Sequence, residues 1–250
     1  MTMIQNNNSS VFTTSAHPRM SEKYTHVPTS IIIEDMAKLG WEVSMVKEVK
    51  ARKDIGYQKH IVKFRNNEIK ITGENNDVVF PEIVLVNSHN GSSSFKFMVG
   101  LFRLVCENGL IIMDQTFENI SVYHRGYNFE HLRTNIQFII EQLPLTVESM
   151  NKMRQRSLTQ NEKEDFAKKA LEIRFPNRSF NYDEILNPVR NEDKGDDIWS
   201  VFNVIQEKLI KGLMSYGVKG RVRKARPIKN IDQDLKINSE LYKLALEYVD

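Results

Sequence analysis

The spacing of apolar residues changes once along this chain, near residue 129, and that change bounds the fold. Before it, Trp41, Val43 and Met45 alternate with polar neighbours, the pattern of a half-buried strand. After it, Leu132, Ile136, Ile139, Ile140 and Leu143 recur at helical spacing. Trp199, Phe202, Ile205, Leu209 and Leu213 then lay a broad apolar face along residues 197–215. Strands followed by helices argue an α+β fold. The expected plan is an N-terminal antiparallel sheet with a short helix, and a mainly helical C-terminal half packed on it. A chain of 250 residues is long enough for one large domain or two small ones. The reading is one domain over residues 28–250, sheet-rich over 28–128 and helix-rich over 129–250. Residues 1–27 are polar and aperiodic, with Asn6-Asn7-Asn8-Ser9-Ser10 at their centre, and read as a flexible arm.

Local signals fill in the plan. Thr29 or Ser30 can cap a short helix over residues 31–39, which Gly40 ends. Strands are expected over 41–51, 57–64 and 69–71. The pair 82–87 and 94–105 reads as a hairpin, because Asn90-Gly91 favours a type I′ turn. Residues 110–113 and 120–124 extend the sheet. Pro144 should kink or end the first long helix. Thr159 and Glu162 have capping-box spacing and start a helix running to about 175. Short helical residues 182–186, the amphipathic stretch 197–215 and a final helix over 238–248 complete the chain.

Several chemistries are missing from the sequence. No apolar run approaches the roughly 20 residues that span a bilayer, and no secretory signal opens the chain. The single Cys106 excludes an intrachain disulfide and suits a reducing cytoplasm; in so apolar a strand it reads as a small core residue. There is no phosphate-binding loop and no dinucleotide fingerprint, so no cofactor is implied. The six histidines show no metal spacing with each other or with Cys106. Ser92, Ser93 and Ser94 beside His89 lack a nucleophile elbow and read as turn residues. Asp54 followed by Glu68 and Lys70 has the order used by metal-dependent nucleases, although all three equally suit a turn and an exposed strand face.

Net charge is only +3, but residues 219–229 carry Lys219, Arg221, Arg223, Lys224, Arg226 and Lys229 with no acid among them. Such a block either binds phosphates or forms a solvated loop. Lys47, Lys50, Arg52, Lys59, Lys63 and Arg65 alternate with apolar residues on the first strands. A face of this kind can follow a nucleic-acid backbone, with Tyr57, Phe64, Tyr123 and Tyr127 for base stacking; the same lysines would also blunt a sheet edge.

Two segments carry a resemblance. In residues 87–109, Asn87, Ser88, His89, Gly91, Ser92, Phe102, Arg103, Val105, Cys106, Asn108 and Gly109 match a signature of the family catalogued as domain of unknown function 932, common in phages, prophages and plasmids. Asn90 stands where an acidic turn residue is usual, and Glu107 where a small polar one is common. In residues 187–212, Asp197, Trp199, Asn203, Gln206, Glu207, Leu209, Ile210 and Gly212 match its later signature. Arg221, Arg223, Ile228, Asn238 and Leu241 follow in the expected order. More distantly, Leu39-Gly40-Trp41 at a helix end, cationic strands and the Asn90-Gly91 hairpin resemble the layout of Rad-fifty-two type single-strand annealing proteins, which form rings. This second likeness is one of layout only.

The resemblances imply a phage- or mobile-element-encoded protein of the bacterial cytoplasm. It would bind and anneal single-stranded DNA in recombination or replication, as a homo-oligomer such as a ring, without nucleotide hydrolysis, cofactor, metal, catalytic residue or membrane partner. Lys63, Arg65, Arg103, Lys219, Arg221, Arg223, Lys224 and Arg226 would contact the nucleic acid. His89, Arg103, Glu107 and Asn108 would form a brace under the sheet, with Arg103 as its one ligand contact. The alternatives are a counter-defence factor that binds a host protein, and the nuclease built on Asp54, Glu68 and Lys70.

Overall fold

Every residue of His60–Lys63 is buried, and side chains along a strand point alternately to opposite faces. That strand is therefore covered on both sides, and a half-solvated cationic face is absent there. A computed structural model describes residues 9–72, 78–104, 108–112 and 129–249. Helix α1 (Thr29–Lys38) precedes strands β1 (Glu42–Glu48), β2 (His60–Arg65), β3 (Ile71–Thr72), β4 (Val78–Asn87), β5 (Lys96–Arg103) and β6 (Asn108–Ile112). They form a six-stranded sheet in the order β1-β2-β4-β5-β6, with β3 paired to β4. Antiparallel register sets His60 opposite Asn87 and Arg65 opposite Glu82. Helices α2 (Phe129–Gln155), α3 (Gln160–Arg174), α4 (Tyr182–Leu186), α5 (Ile198–Lys211) and α6 (Ile231–Leu246) follow, with strands β7 (Ser215–Val218) and β8 (Arg221–Lys224) between the last two. The fold is α+β, as the change of apolar spacing requires. Among the described residues no helix is long and apolar enough to cross a membrane.

The chain divides into two compact units: Met1–Lys70, Phe80–Leu101 and Met113–Gln142 form one, and Ile71–Val79, Phe102–Ile112 and Leu143–Asp250 the other. In the first, Ile61, Phe64, Ile83, Leu85, Phe95 and Phe97 are buried with Ile32, Met36 and Trp41. Residues 9–27, expected as a loose arm, are tied down. Ser9 and Ser10 donate to Glu48, Thr13 to the Gly56 carbonyl, and the Tyr24 hydroxyl to Ser88 O at 2.9 Å. The His17 amide donates to His89 O at 2.9 Å, and Val11 and Val27 are buried. Low-complexity composition concealed this, because single hydroxyls rather than an apolar run anchor the segment.

In the second unit, α3 packs on α4 and α6, and α5 packs on α6. The Asp197 carboxylate caps α5, accepting from the Ser200 amide at 2.9 Å. Gly212 ends that helix at φ 71°, where an added Cβ would lie 2.6 Å from the Arg226 carbonyl carbon. Leu213 therefore leaves the helix and is exposed, contrary to its expected place on the apolar face. Pro144 lies inside α2 without ending it. Helix α6 starts at Ile231 rather than at 238, because Asn230 caps it and accepts from the Gln233 amide at 2.9 Å.

The Asn90-Gly91 turn also differs from expectation. Strands β4 and β5 are neighbours, but the connection spans residues 88–95. Gly91 has φ 73° while Asn90 is not in the positive-φ region, so no type I′ turn forms. The Asn90 side chain instead accepts from the Ser92 amide at 3.1 Å and donates to Asp54 at 3.2 Å.

Candidate nucleic-acid interface

Within the cationic block, Lys219–Lys224 form the turn and second strand of a β-hairpin, and residues 225–229 follow as a connection to the next helix. Strands β7 and β8 pair antiparallel from Ser215↔Lys224 to Val218↔Arg221. Lys219 and Gly220 make the turn at φ 47° and 72°, the two positive values that a type I′ turn needs. All residues from Lys219 to Lys224 are exposed. The base is fixed by buried Ala225 and Ile228, whose amides donate to Met214 O and Ile210 O, each at 2.9 Å. Tyr216 stacks on Phe175 with ring centroids 4.8 Å apart.

A third segment adds to this hairpin. Ser179 bridges Gly217, with the Gly217 amide donating to Ser179 O at 2.8 Å. A Cβ at Gly217 would sit 2.2 Å from Ser179 Oγ, so a side chain there would require the serine hydroxyl to turn away. The bridge brings Arg178 to Lys219 and Arg221 around an open cleft of about 550 Å³. Arg178 was not singled out by sequence; it stands far from the block along the chain, and only the bridge unites them.

Charge pairing separates the expected contacts into two groups. Among the described residues, the side chains of Arg178, Lys219, Arg221, Arg223, Lys224, Arg226 and Lys229 have no carboxylate partner, and all are exposed. Cations held in water without a protein counter-charge are available to phosphates. Lys63, Arg65 and Arg103 are placed differently. Glu82, itself buried, takes Arg65 at 2.7 Å and Lys63 at 3.6 Å, and accepts from the Ser44 hydroxyl at 2.8 Å. Arg65 also lies over the Phe80 ring. Arg103 is buried against the buried Asp193, so its expected part as a ligand contact gives way to an internal one. Asp193 also meets Arg190 at 3.2 Å, and Arg190 forks onto Glu207 at 2.6 and 2.7 Å. Burial alone would raise the Glu207 carboxyl, but the bonds from Arg190 and Lys211 outweigh it and hold it below the usual carboxylate range.

The stacking aromatics are likewise placed elsewhere or not described. Phe64 is fully buried, and Tyr57 packs edge-on against His17 at 4.9 Å. Tyr123, Tyr127, Cys106 and Glu107 lie outside the described residues, as does the Asn108 side chain.

Asn87 joins a buried polar network that reaches α1 and β2. Asn87 Nδ2 donates to Thr29 Oγ1 at 3.0 Å, and Thr29 Oγ1 meets His60 Nε2 at 2.8 Å. His60 Nδ1 meets Ser10 Oγ at 2.8 Å, and the Ser10 hydroxyl donates to Glu48 at 3.0 Å. Because Ser10 donates onward to Glu48, it must accept from His60. The ring is therefore the neutral Nδ1–H tautomer, with Nε2 accepting from Thr29. Burial, the largest cause, holds its pKa below the ordinary value, opposed by the Gln58 carbonyl and Glu48. His89 packs beside His60 and His26, at 5.3 and 4.6 Å between ring centroids.

This network predicts an acid-sensitive stability. The unfolded His60 titrates near pH ~6.5 and the folded ring lower, so its contribution is whole above that value. It is lost as pH falls from there through the folded pKa. Denaturant midpoints measured from pH 8 to 5 should fall below pH ~6.5, and His60→Gln should flatten that fall; an unchanged slope in the variant would remove His60 as its source.

The nuclease residues are not assembled. Asp54 is held by Arg19 at 2.7 Å and His17 at 3.2 Å, and it bonds Asn90, beyond the Asn87 that pairs with His60. Glu68 follows Arg65 at the other end of β2, whose length is roughly 20 Å. Among the described residues no group of three or more His, Cys, Asp or Glu side chains could hold a metal ion.

Comparison with known proteins adds a family. The one described as "Domain of unknown function (DUF932)" matches residues 16–242. The chain is 32% identical over 242 residues to UPF0380 protein YafZ of Escherichia coli (strain K12), covering 94% of this chain and 86% of the relative. It is 31% identical over 241 residues to UPF0380 protein YfjQ of the same strain, with the same coverage. No solved structure gives a significant match.

Proposed function

The chain belongs to the DUF932 family, and from that premise we propose that it is a nucleic-acid-binding protein that works without nucleotide hydrolysis. The observation that carries this reading is the hairpin Ser215–Lys224, whose exposed cations have no carboxylate partner among the described residues. Phosphates would take the place of that missing counter-charge, and release of their condensed ions would drive association. Annealing of complementary strands follows naturally in this reading. Two phosphate backbones repel each other, a cationic hairpin reduces that repulsion, and base pairing supplies the free energy. No general base, phosphate loop or metal is then needed, and the protein acts in recombination or replication of a mobile element.

The test is fluorescence anisotropy with labelled DNA across salt, without nucleotide and with chelator present. Six cations, Arg178, Lys219, Arg221, Arg223, Lys224 and Arg226, should give a log–log salt slope of about −4 to −5. Added unlabelled complement should be taken into duplex faster with protein than without it. Absence of retention at about 50 mM salt, where such binding is far tighter than at about 200 mM, would overturn the reading in favour of a protein-interaction factor.

A further inference from the structure

The following rests on the nucleic-acid reading above and narrows its partner: we infer that the hairpin engages double-stranded DNA by entering the major groove. The register decides which side chains share a face. Directly paired residues of an antiparallel ladder point the same way, and neighbours along a strand point opposite ways. Tyr216, Val218, Arg221 and Arg223 therefore lie on one face, and Ser215, Gly217, Val222 and Lys224 on the other. Lys219 stands at the tip. Cations thus occur on both faces and at the turn. A single strand presents one line of phosphates and would be met by one face. A groove presents two, one on each side of an inserted ribbon.

Dimensions agree with this. Two strands lie about 4.8 Å apart, and a ribbon with its side chains is about 10 Å thick. The major groove of B-form DNA is about 12 Å wide and admits a two-stranded ribbon, while the minor groove is only about 6 Å wide. The deep, narrow major groove of double-stranded RNA does not admit it. The bridge of Ser179 to Gly217 sets a third segment beside the ribbon near its turn, where Arg178 joins Lys219 and Arg221 in a cationic cleft that seats a phosphate of the groove wall.

The side chains that are not charged point the same way. Val222 is 80% exposed on the same face as Lys224, an apolar group available to a thymine methyl on that side of the groove. Binding of unpaired bases needs exposed aromatic rings for stacking. Tyr216 is the sole aromatic residue in 215–229, and it is half-buried against Phe175. The hairpin has cations for two backbones and no platform for bare bases. In an annealing reaction it would hold the duplex product.

The experiment compares a 20-base-pair DNA duplex, each of its separate strands and the RNA duplex of the same sequence, by anisotropy with full-length protein. The DNA duplex should bind at least about tenfold more tightly than the other three. Arg223→Ala and Lys224→Ala, on opposite faces, should each lower the duplex salt slope by about 1. Val222→Asp should weaken duplex binding by about tenfold, because it sets a carboxylate among phosphates. These side chains are exposed, and circular dichroism verifies that each variant is folded. Equal or tighter binding of a single strand would overturn the inference while leaving the nucleic-acid reading intact. So would a duplex slope that responds to Arg223→Ala but not to Lys224→Ala. Binding of none of the four would overturn the broader reading, and the inference with it.

Discussion

Replacing Arg221, Arg223 and Lys224 together by Ala should weaken DNA binding on the order of 100- to 1,000-fold at about 0.1 M salt. Each phosphate contact contributes about 0.9 to the log–log salt slope on duplex DNA, so the slope itself should fall by nearly 3. The loss should be independent of base sequence, because phosphates carry none. Stability should hardly change, since the three side chains are exposed and none pairs with a carboxylate among the described residues. That combination, large in binding and small in denaturation midpoint, separates a contact surface from a structural one. Unaltered binding by the triple variant would remove the hairpin from the interface and return attention to the sheet.

The second large effect is on folding. Asp193→Ala should destabilise the protein by about 3–5 kcal/mol, the usual cost of breaking a buried ion pair. Arg103 is 3% exposed and Asp193 likewise 3%, so neither charge can be rescued by water. Asp193 is shared with Arg190, and Arg190 with Glu207, which also meets Lys211 at 2.8 Å. Charges of alternating sign run from Arg103 to Lys211, and removing one carboxylate leaves two guanidinium groups facing each other across its place. Denaturant unfolding should show a large fall in midpoint. Arg103→Met combined with Asp193→Leu should recover most of it, because an apolar pair carries no desolvation cost. If Asp193→Ala costs under about 1 kcal/mol, the value of an exposed pair, the network is not a structural brace. DNA binding per folded molecule should be unchanged in the double variant, since Arg103 faces Asp193 rather than solvent.

Signals confined to a few adjacent residues were legible in the sequence. The Thr159 box forms as its spacing indicates: Thr159 Oγ1 accepts from the Glu162 amide at 3.3 Å, and Glu162 accepts in return from the Thr159 amide at 2.8 Å. Arg156, the largest cause, together with Thr159 holds the Glu162 carboxyl down to about 2. Asp197 starts α5 as expected, and Gly212 is the residue that stops it. Two hairpin signals divided the other way. Asn90-Gly91 has the preferred dipeptide, yet the bond from Asn90 to Asp54 belongs to a longer connection. Lys219-Gly220 has a poorer first residue for positive φ, yet ladder pairing on both sides imposes the turn.

The candidate interface was half legible. The block 219–229 stands out because six cations without an acid is a property of adjacent residues. Lys63 and Arg65 look the same in sequence, as cations alternating with apolar residues, but their counter-charge Glu82 comes from another strand. Arg178 was invisible for the converse reason.

By itself, then, the sequence determined what depends on neighbours along the chain: the α+β order of elements, the caps of individual helices, and the presence of one uncompensated cationic segment. Tertiary structure alone decided which charges are spent inside the protein. It set Glu82 against Lys63 and Arg65, Asp193 against Arg103, and Ser179 against Gly217. The reason is physical. Helix period and capping arise from bonds across three or four residues, whereas the pairing of a charge depends on whichever residue the strand register places opposite it.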